Sequence, residues 1–457
     1  MVDNQFFVEK PGFQESKYCN YKYNIFRFSI NYKFSYRFWY NFVSYKYDYN
    51  FMKIPTKIWT RSVYIDKLRP FIGKNLIKVF TGQRRVGKSY LLFQVMEILR
   101  HEDKTANIIY INKEDLQFSF IKHADELNEY IVSHSKPDVR NYIFIDEIQD
   151  IAEFEIALRS LLLDEGNDIY ITGSNAKMLS GELATYLSGR YIECNVYSLS
   201  YTEFLSFHSL ADDDDSLELY MKYGGLPYLI NLPLTDQVFE YIYSVYSTIV
   251  YRDVVSRYNL RNSQFLEKLI LFLADNIGSL FSAKKISDFL KSQNTRIAPN
   301  QIQQLSTYLA NAYIIHEVSR YDIVGKRIFE IGNKFYFENT GIRNVITGYL
   351  LKDKGKLLEN VVYNHLLFLG YDVKVGVVNA QEIDFVCQRN NELLYIQVAL
   401  RVDEPATMER EFGNLLKIRD NYPKMVITGQ RFDGNTHDGI RHMYIRDFLK
   451  LDPGAIL

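Results

Sequence analysis

Val79-Phe80-Thr81-Gly82-Gln83-Arg84-Arg85-Val86-Gly87-Lys88-Ser89 is the stretch from which the rest of the 457-residue chain is read. Upstream, Leu76-Ile77-Lys78-Val79-Phe80 is apolar and β-branched, as a buried parallel strand should be. Downstream, Tyr90 to Met96 carries apolar residues at helical spacing. Between them Gly82, Gly87, Lys88 and Ser89 fit the pattern G-x-x-x-x-G-K-[ST], whose successive backbone N–H groups turn inward and cradle the β-phosphate of a nucleotide. Gln83, Arg84, Arg85 and Val86 complete the loop and Tyr90 follows it. Lys88 is placed to reach the β- and γ-phosphates and the Ser89 hydroxyl to ligate Mg²⁺. The helix from Ser89 through Leu99 aims its positive dipole end at the anion.

A second signal lies about sixty residues on. Asn107 to Asn112 reads as a strand, Ala124 to Ser133 as a helix, and Tyr142-Ile143-Phe144-Ile145-Asp146-Glu147 as a buried strand ending in two carboxylates. In a parallel sheet these carboxylates fall at the C-terminal edge, beside the loop. Asp146 is expected to hold Mg²⁺ through its water shell, and Glu147 to orient the attacking water. After a helix from Ala152 to Leu163, Asp168-Ile169-Tyr170-Ile171-Thr172-Gly173-Ser174-Asn175 is a further strand. From its end Asn175 is expected to reach the γ-phosphate or the water. Arg190, after Gly189, is the arginine expected to stabilise transition-state charge, with an ordinary surface arginine as the alternative.

The loop, Ile145-Asp146-Glu147-Ile148-Gln149, Thr172-Gly173-Ser174-Asn175, Leu187-Ser188-Gly189-Arg190 and Ser198-Leu199-Ser200-Tyr201-Thr202-Glu203-Phe204 together resemble a prokaryotic AAA-superfamily (P-loop) ATPase family with a C-terminal domain of unknown function. The match extends through Tyr223-Gly224-Gly225-Leu226-Pro227 to Glu382-Ile383-Asp384-Phe385-Val386. It implies ATP binding with Mg²⁺ and hydrolysis, and leaves the cellular role open.

Composition narrows the class. Lys and Arg number 54 against 55 Asp and Glu, a net charge of −1, so any basic surface must be local. The three cysteines, Cys19, Cys194 and Cys387, form no metal pattern and suit a reducing cytoplasm. No apolar run is long enough to span a membrane. The first fifty residues contain eighteen Phe, Tyr or Trp interleaved with Asn, Lys and Ser. This segment reads as upstream DNA translated in error, with Met52 as the start. An edge hairpin is the alternative.

Residues 198 to 262 are mostly helical by period, broken by Asp212-Asp213-Asp214-Asp215, a solvated acidic loop. Helices are expected from Phe265 to Leu273, from Ala283 to Lys291 under a Ser282 cap, and from Asn300 to Ala312. Two strands flanking Asp322-Ile323-Val324-Gly325-Lys326-Arg327 complete the order of a winged helix-turn-helix. Its third helix shows Asn300, Gln301, Gln303 and Gln304 with little positive charge, so DNA and a protein stand equally as its partner.

Toward the C-terminus, a helix opening at Lys356, a strand at Glu382 to Val386 and another at Leu394 to Ala399 resemble the restriction-endonuclease-like fold. The resemblance assigns Glu359 and Asp384 to a metal site that needs a third acid and a lysine. Gln397 and Ala399 stand in those places. Gln397 is left with a carbonyl oxygen to offer a metal, and the absence of the lysine argues against cleavage of DNA.

The expected architecture is α/β: an aromatic-rich extension (1–51), a P-loop AAA-type domain with a parallel sheet (52–197), a helical lid or linker (198–262), a winged helix-turn-helix (263–338) and a restriction-endonuclease-like domain (345–450). Three functions fit. The first is an ATPase that repositions its later domains on DNA or a protein, the second an ATP-held binding switch, and the third an ATP-controlled nuclease.

Overall fold

The computed structural model describes residues 55, 57–176, 187, 189–261, 263–292, 296–328, 332–379, 381–402, 405–431, 434 and 436–455. The aromatic-rich segment, and with it the expected start at Met52, lies outside these residues.

A short helix, α1 (Ser62–Leu68), precedes the first strand. Five strands then form a parallel sheet: β1 (Ile77–Thr81), β2 (Asn107–Asn112), β3 (Asn141–Asp146), β4 (Asn167–Gly173) and β5 (Tyr191–Asn195). Their spatial order is β2-β3-β4-β1-β5. Helices cover the sheet, so β1, β3 and β4 are buried along their whole length. That is why their sequences are apolar runs and not alternations. The register Thr81↔Gly173 and Asn112↔Asp146 brings the last residues of the strands to one edge.

Helix α2 (Lys88–Glu102) starts one residue before the sequence predicts and runs three exposed residues past its buried stripe of Leu91, Leu92, Val95, Met96 and Leu99. Helices α3 (Ala124–His134) and α4 (Phe154–Leu161) pack on each other. Ile143, Ile145, Ile169 and Ile171 of the sheet belong to the same core as Leu127 and Leu158.

Beyond the sheet come α5 (Tyr201–His208), α6 (Asp214–Tyr223) and α7 (Val238–Thr248). Asp213 of the acidic run caps α6 by accepting from Ser216 N, while Asp212 pairs with Arg446 and Lys450. Helix α7 passes directly into a π-helical segment, Ile249–Ser256. Such π segments are rare and recur at functional sites. Three helices follow: α8 (Ser263–Asp275), α9 (Ala283–Ser292) and α10 (Pro299–Asn311).

The strands after α10 depart from the sequence-based expectation. β7 (Arg320–Asp322) and β8 (Arg327–Ile328) do pair across the 322–327 turn, but they join the C-terminal sheet through β10 (Asp372–Val378). The neighbouring β6 (Ile315–Val318) pairs instead with β9 (Lys334–Phe337). One local hairpin in the sequence therefore serves two sheets, a long-range choice that its turn residues do not encode.

Helices α11 (Thr340–Thr347) and α12 (Lys354–Phe368) lead to β10 (Asp372–Val378), β11 (Gln381–Arg389) and β12 (Glu392–Ala399). Helix α13 (Pro405–Leu416), β13 (Lys424–Thr428), β14 (Thr436–His437), β15 (Ile440–Tyr444) and α14 (Ile445–Leu449) complete the eight-stranded mixed sheet and its cover. Among the described residues no helix is long and apolar enough to cross a membrane.

Candidate nucleotide site

Gly82 and Gly87 are where the loop requires glycine. A Cβ on Gly82 would lie 2.1 Å from the Val196 carbonyl oxygen, and Gly87 turns into α2 with φ +96°. Gly87 also faces Pro227, whose Cγ would lie 3.7 Å from an added Cβ. Arg85 completes the turn in the left-handed region at φ +70°. Lys88 is buried and donates to the carbonyls of Gly82 and Gln83, 2.9 Å each, so its ammonium is drawn back across the mouth of the loop. Burial pulls its pKa below the ordinary lysine value against the opposing pull of Glu147 and Asp146. Tyr90, in the first turn of α2, is 46% exposed.

Ser89 and Thr172 converge on Asp146. Thr172 Oγ1 donates to Oδ1 at 2.5 Å, Tyr110 OH lies 3.4 Å from Oδ2, and the Ser89 hydroxyl lies near the same carboxylate. Burial pushes the Asp146 carboxyl up despite these donors. A hydroxyl beside a carboxylate is a hard-oxygen donor pair of the kind that takes Mg²⁺. Glu147, next along, stands in the left-handed region at φ +56°, fixed by its N–H donating to Thr172 Oγ1 at 2.9 Å. This turns its side chain toward Ser174, which donates to Oε2 at 3.2 Å, and Gln149, which donates to the same oxygen. Burial raises the Glu147 carboxyl, but Lys88, Arg84 and the two donors outweigh it and hold the group below the usual carboxylate range.

Arg84 points away from the loop mouth. It is 5% exposed and forms two hydrogen bonds to Asp253 in the π-helical segment, with Glu114 at 2.9 Å and Glu147 at 3.9 Å. Gln83 donates to the Tyr313 carbonyl at 2.5 Å. Asn175 lies just past β4 at the same sheet edge, and the next residue, Ala176, donates its N–H to the carbonyl of Asn311 at the end of α10. The loop, the carboxylate pair and the β4 tail are thus brought together. The loop, through Arg84 and Asp253, and the β4 tail, through Ala176 and Asn311, also touch helical structure encoded far along the chain.

Arg190 is not brought there. It stands exposed just before β5, with its carbonyl accepting from Ile77 N at 3.0 Å. Ile77 begins β1, and Gly82 lies five residues on, about 16 Å at roughly 3.3 Å per residue. Parallel pairing puts the first residues of strands at the edge opposite the loop, so Arg190 does not reach the phosphates within its own chain. Asp253, Thr172 and Ser174 are site residues that motif reading missed. Thr172 and Ser174 flank the glycine of a quoted motif, whereas nothing local to Asp253 marks it.

The C-terminal set is also brought together, with different partners from those the sequence predicts. Glu359 accepts from Tyr336 OH at 2.6 Å and from Lys334 Nζ at 3.1 Å, and Lys334 also pairs with Glu382 at 2.7 Å. Burial favours the neutral amine of Lys334, yet Glu359, Asp384 and Glu382 hold it above the ordinary lysine value. Asp384 is partly open to a cavity of about 890 Å³, but desolvation and the Glu359 charge raise its carboxyl well above the usual range. Both ends of the Gln397 side chain are engaged. Its carbonyl oxygen accepts from Asp384 N at 2.6 Å and its amide donates to Glu411 at 2.8 Å, because neighbouring strands and α13 claim both ends. Among the described residues no three His, Cys, Asp or Glu side chains are arranged to share a metal ion.

A family model described as an AAA domain matches residues 74–205, and a model of a domain of unknown function matches residues 214–353. An uncharacterized protein of Haemophilus influenzae is 35% identical over 399 residues, covering 85% of this chain and 98% of that protein. The uncharacterized protein MJ1544 of Methanocaldococcus jannaschii is 33% identical over 353 residues, covering 74% of this chain and 77% of the relative. Among solved structures, the Aeropyrum pernix ORC1 protein in complex with DNA is similar over 64% of this chain and 93% of that one, with 10% identity and a TM-score of 0.34.

Proposed function

The chain belongs to the same AAA-domain family as its Haemophilus influenzae relative, and from that premise we propose that it hydrolyses ATP and uses the nucleotide state to reposition its C-terminal half on a partner. The observation that carries this reading is the convergence of Lys88, Ser89, Asp146 and Glu147 at one sheet edge. In this reading the backbone N–H groups from Gly82 to Lys88 hold the phosphates, and Tyr90 flanks them. Ser89 and Asp146 would hold Mg²⁺, which would supply neutralisation of the phosphate charge. Lys88 exchanges the carbonyls of Gly82 and Gln83 for phosphate oxygens. Glu147 aligns a water against the γ-phosphate and Asn175 bears on the same region. Ser174 and Gln149 keep the Glu147 carboxylate aimed.

A second reading, an ATP-held switch that hydrolyses slowly, is favoured by one observation. Arg84 and Lys88 keep Glu147 below the usual carboxylate range, which weakens it as a proton acceptor. Single-turnover hydrolysis by the wild-type chain decides between the two. A turnover that depends on Glu147 supports the ATPase, and bound ATP that persists for hours supports the switch.

For the later parts of the chain the proposal keeps a helical lid at 198–262, a winged helix-turn-helix at 263–338 and a restriction-endonuclease-like domain at 345–450. Helices α5, α6 and α7 support the first, and the succession of α8, α9, α10 and the strands after them supports the second. The third is proposed as a contact module and not as a nuclease. With Ala399 in the lysine position, Gln397 engaged at both ends and Lys334 paired to two carboxylates, its cavity lacks both a free metal-ligand set and a water-activating group.

A further inference from the structure

Charge is unevenly spread over a chain whose cations and anions nearly cancel. From Phe289 to His316 there is no Asp or Glu. Helix α9 and the segment just before α10 carry Lys284, Lys285, Lys291 and Arg296 against one carboxylate, Asp288. All four cations are exposed, and none forms an ion pair with a described residue. Some exposed cations elsewhere are paired, as Arg252 is to Glu114 and Asp150, and Lys450 to Asp212 and Asp447, whereas others, such as Arg159 and Lys352, stand singly; what sets this stretch apart is four cations close together with a single carboxylate among them.

The apolar faces of the two helices are spent on the core. Ile286 and Leu290 of α9, and Ile302 and Leu309 of α10, are buried in one cluster. What α10 leaves outward is amide. Gln301 and Gln304 bond within their own helix region, to Ala298 N and Tyr308 OH. Asn300 and Gln303 are exposed and their side chains bond no described residue. A hollow of about 460 Å³ between the end of α9 and the start of α10 is lined by Lys291, Arg296 and Gln301.

We propose that this face binds double-stranded DNA in its B form, with the cations of α9 and Arg296 on phosphates and the outward amides of α10 at base edges in the major groove. Unpaired cations complement a polyanion, and phosphate contacts fix the position of a helix without reading sequence. Asn and Gln offer the donor and acceptor pair that matches adenine in the major groove, which is wide enough to admit an α-helix. The A-form groove of double-stranded RNA is too deep and narrow for that insertion. The proposal rests on the winged-helix reading of 263–338 and names its partner, but does not depend on ATP hydrolysis.

The test measures binding of a fluorescent 30-base-pair duplex to the full chain by anisotropy as salt is varied. Replacing Lys284, Lys285, Lys291 and Arg296 together by Ala should weaken binding at least about tenfold at moderate salt and lower the slope of log K against log salt by about 3. Thermal stability should not change, since all four side chains are exposed. The Asn300→Ala, Gln303→Ala double variant should keep the slope and lose preference among duplex sequences. All titrations are run without nucleotide, so their outcome does not depend on whether the chain hydrolyses ATP, which separates this proposal from the ATPase reading. A quadruple variant with unchanged affinity and slope overturns the proposal. So does equal affinity for double-stranded RNA, or for poly-glutamate, the latter pointing to an acidic protein partner.

Discussion

Arg84 inside the phosphate loop is held by Asp253, 169 residues further along the chain, with Nε 3.0 Å from one carboxylate oxygen and an Nη 3.2 Å from the other. Asp253 is 1% exposed and also lies 3.5 Å from Arg257. A two-point guanidinium–carboxylate contact fixes direction as well as distance, so the π-helical segment and the loop are oriented by one another. The same arginine lies 3.9 Å from Glu147, which puts the charge state of the site and the seat of the helical segment on one side chain.

Removing Asp253 should therefore cost more than a surface pair. Asp253→Ala leaves a buried guanidinium with Glu114 as its nearest carboxylate, and we expect a loss of about 3 kcal/mol in urea unfolding. Asp253→Asn, which keeps an oxygen acceptor, should lose less. Equal stability of the Ala variant and wild type would show that the pair does not hold the segment to the loop.

Lys88→Ala deletes the point charge expected over the β- and γ-phosphates. The lysine now bonds only two loop carbonyls, so its loss should leave the unfolding midpoint within about 1 kcal/mol of wild type. Affinity for Mg·ATP should fall at least about a hundredfold, the loss of one strong charge-assisted contact. Isothermal titration reads both nucleotide affinity and stoichiometry, and an unchanged affinity would remove Lys88 from the site.

Glu147→Gln should keep ATP bound and slow its hydrolysis by about a hundredfold or more, because the amide retains bonds to its neighbours but no longer accepts a proton. With its carboxyl depressed in the fold, Glu147 contributes stability above the unfolded glutamate pKa, and that contribution is lost as pH falls through the lower folded value. The variant should consequently show a flatter stability profile on the acid side than wild type.

How much of this was legible depended on sequence distance. The loop, the β3 carboxylates and the strand order along the chain are written in local pattern, because a phosphate cradle needs glycines at fixed spacing and a buried parallel strand needs an apolar run. The structure places Gly82 to Ser89, Asp146, Glu147 and Asn175 at one edge accordingly. Arg190 stands at the opposite edge, because a parallel strand has two ends and the motif does not say on which the arginine lies. Asp253 was invisible because its partner is fixed by tertiary packing, and so was the division of the 315–328 strands between two sheets. In the C-terminal cavity the search for a lysine two residues after Gln397 found Ala399, while the lysine that occupies the carboxylate cluster, Lys334, comes from β9.

That lysine supports the last prediction. Lys334 is 3% exposed, and its ammonium is shared by Glu359 and Glu382 beside Asp384. Its folded pKa is raised, so its contribution to stability is complete below the unfolded lysine value of about 10.4 and is lost only as pH climbs through the higher folded value. Lys334→Met fills much of the same volume but leaves three carboxylates facing one another without a cation. At pH 8 the variant should lose about 3 to 5 kcal/mol, the usual cost of breaking a buried pair. The loss should shrink as pH falls toward 4, because protonating the carboxyls removes the repulsion that the lysine had been offsetting. Asp384→Asn in the same background should recover part of the stability at pH 8 and none at pH 4. A loss in Lys334→Met that is the same at both pH values would mean that the lysine acts through packing of its stem and not as the internal cation of this cavity.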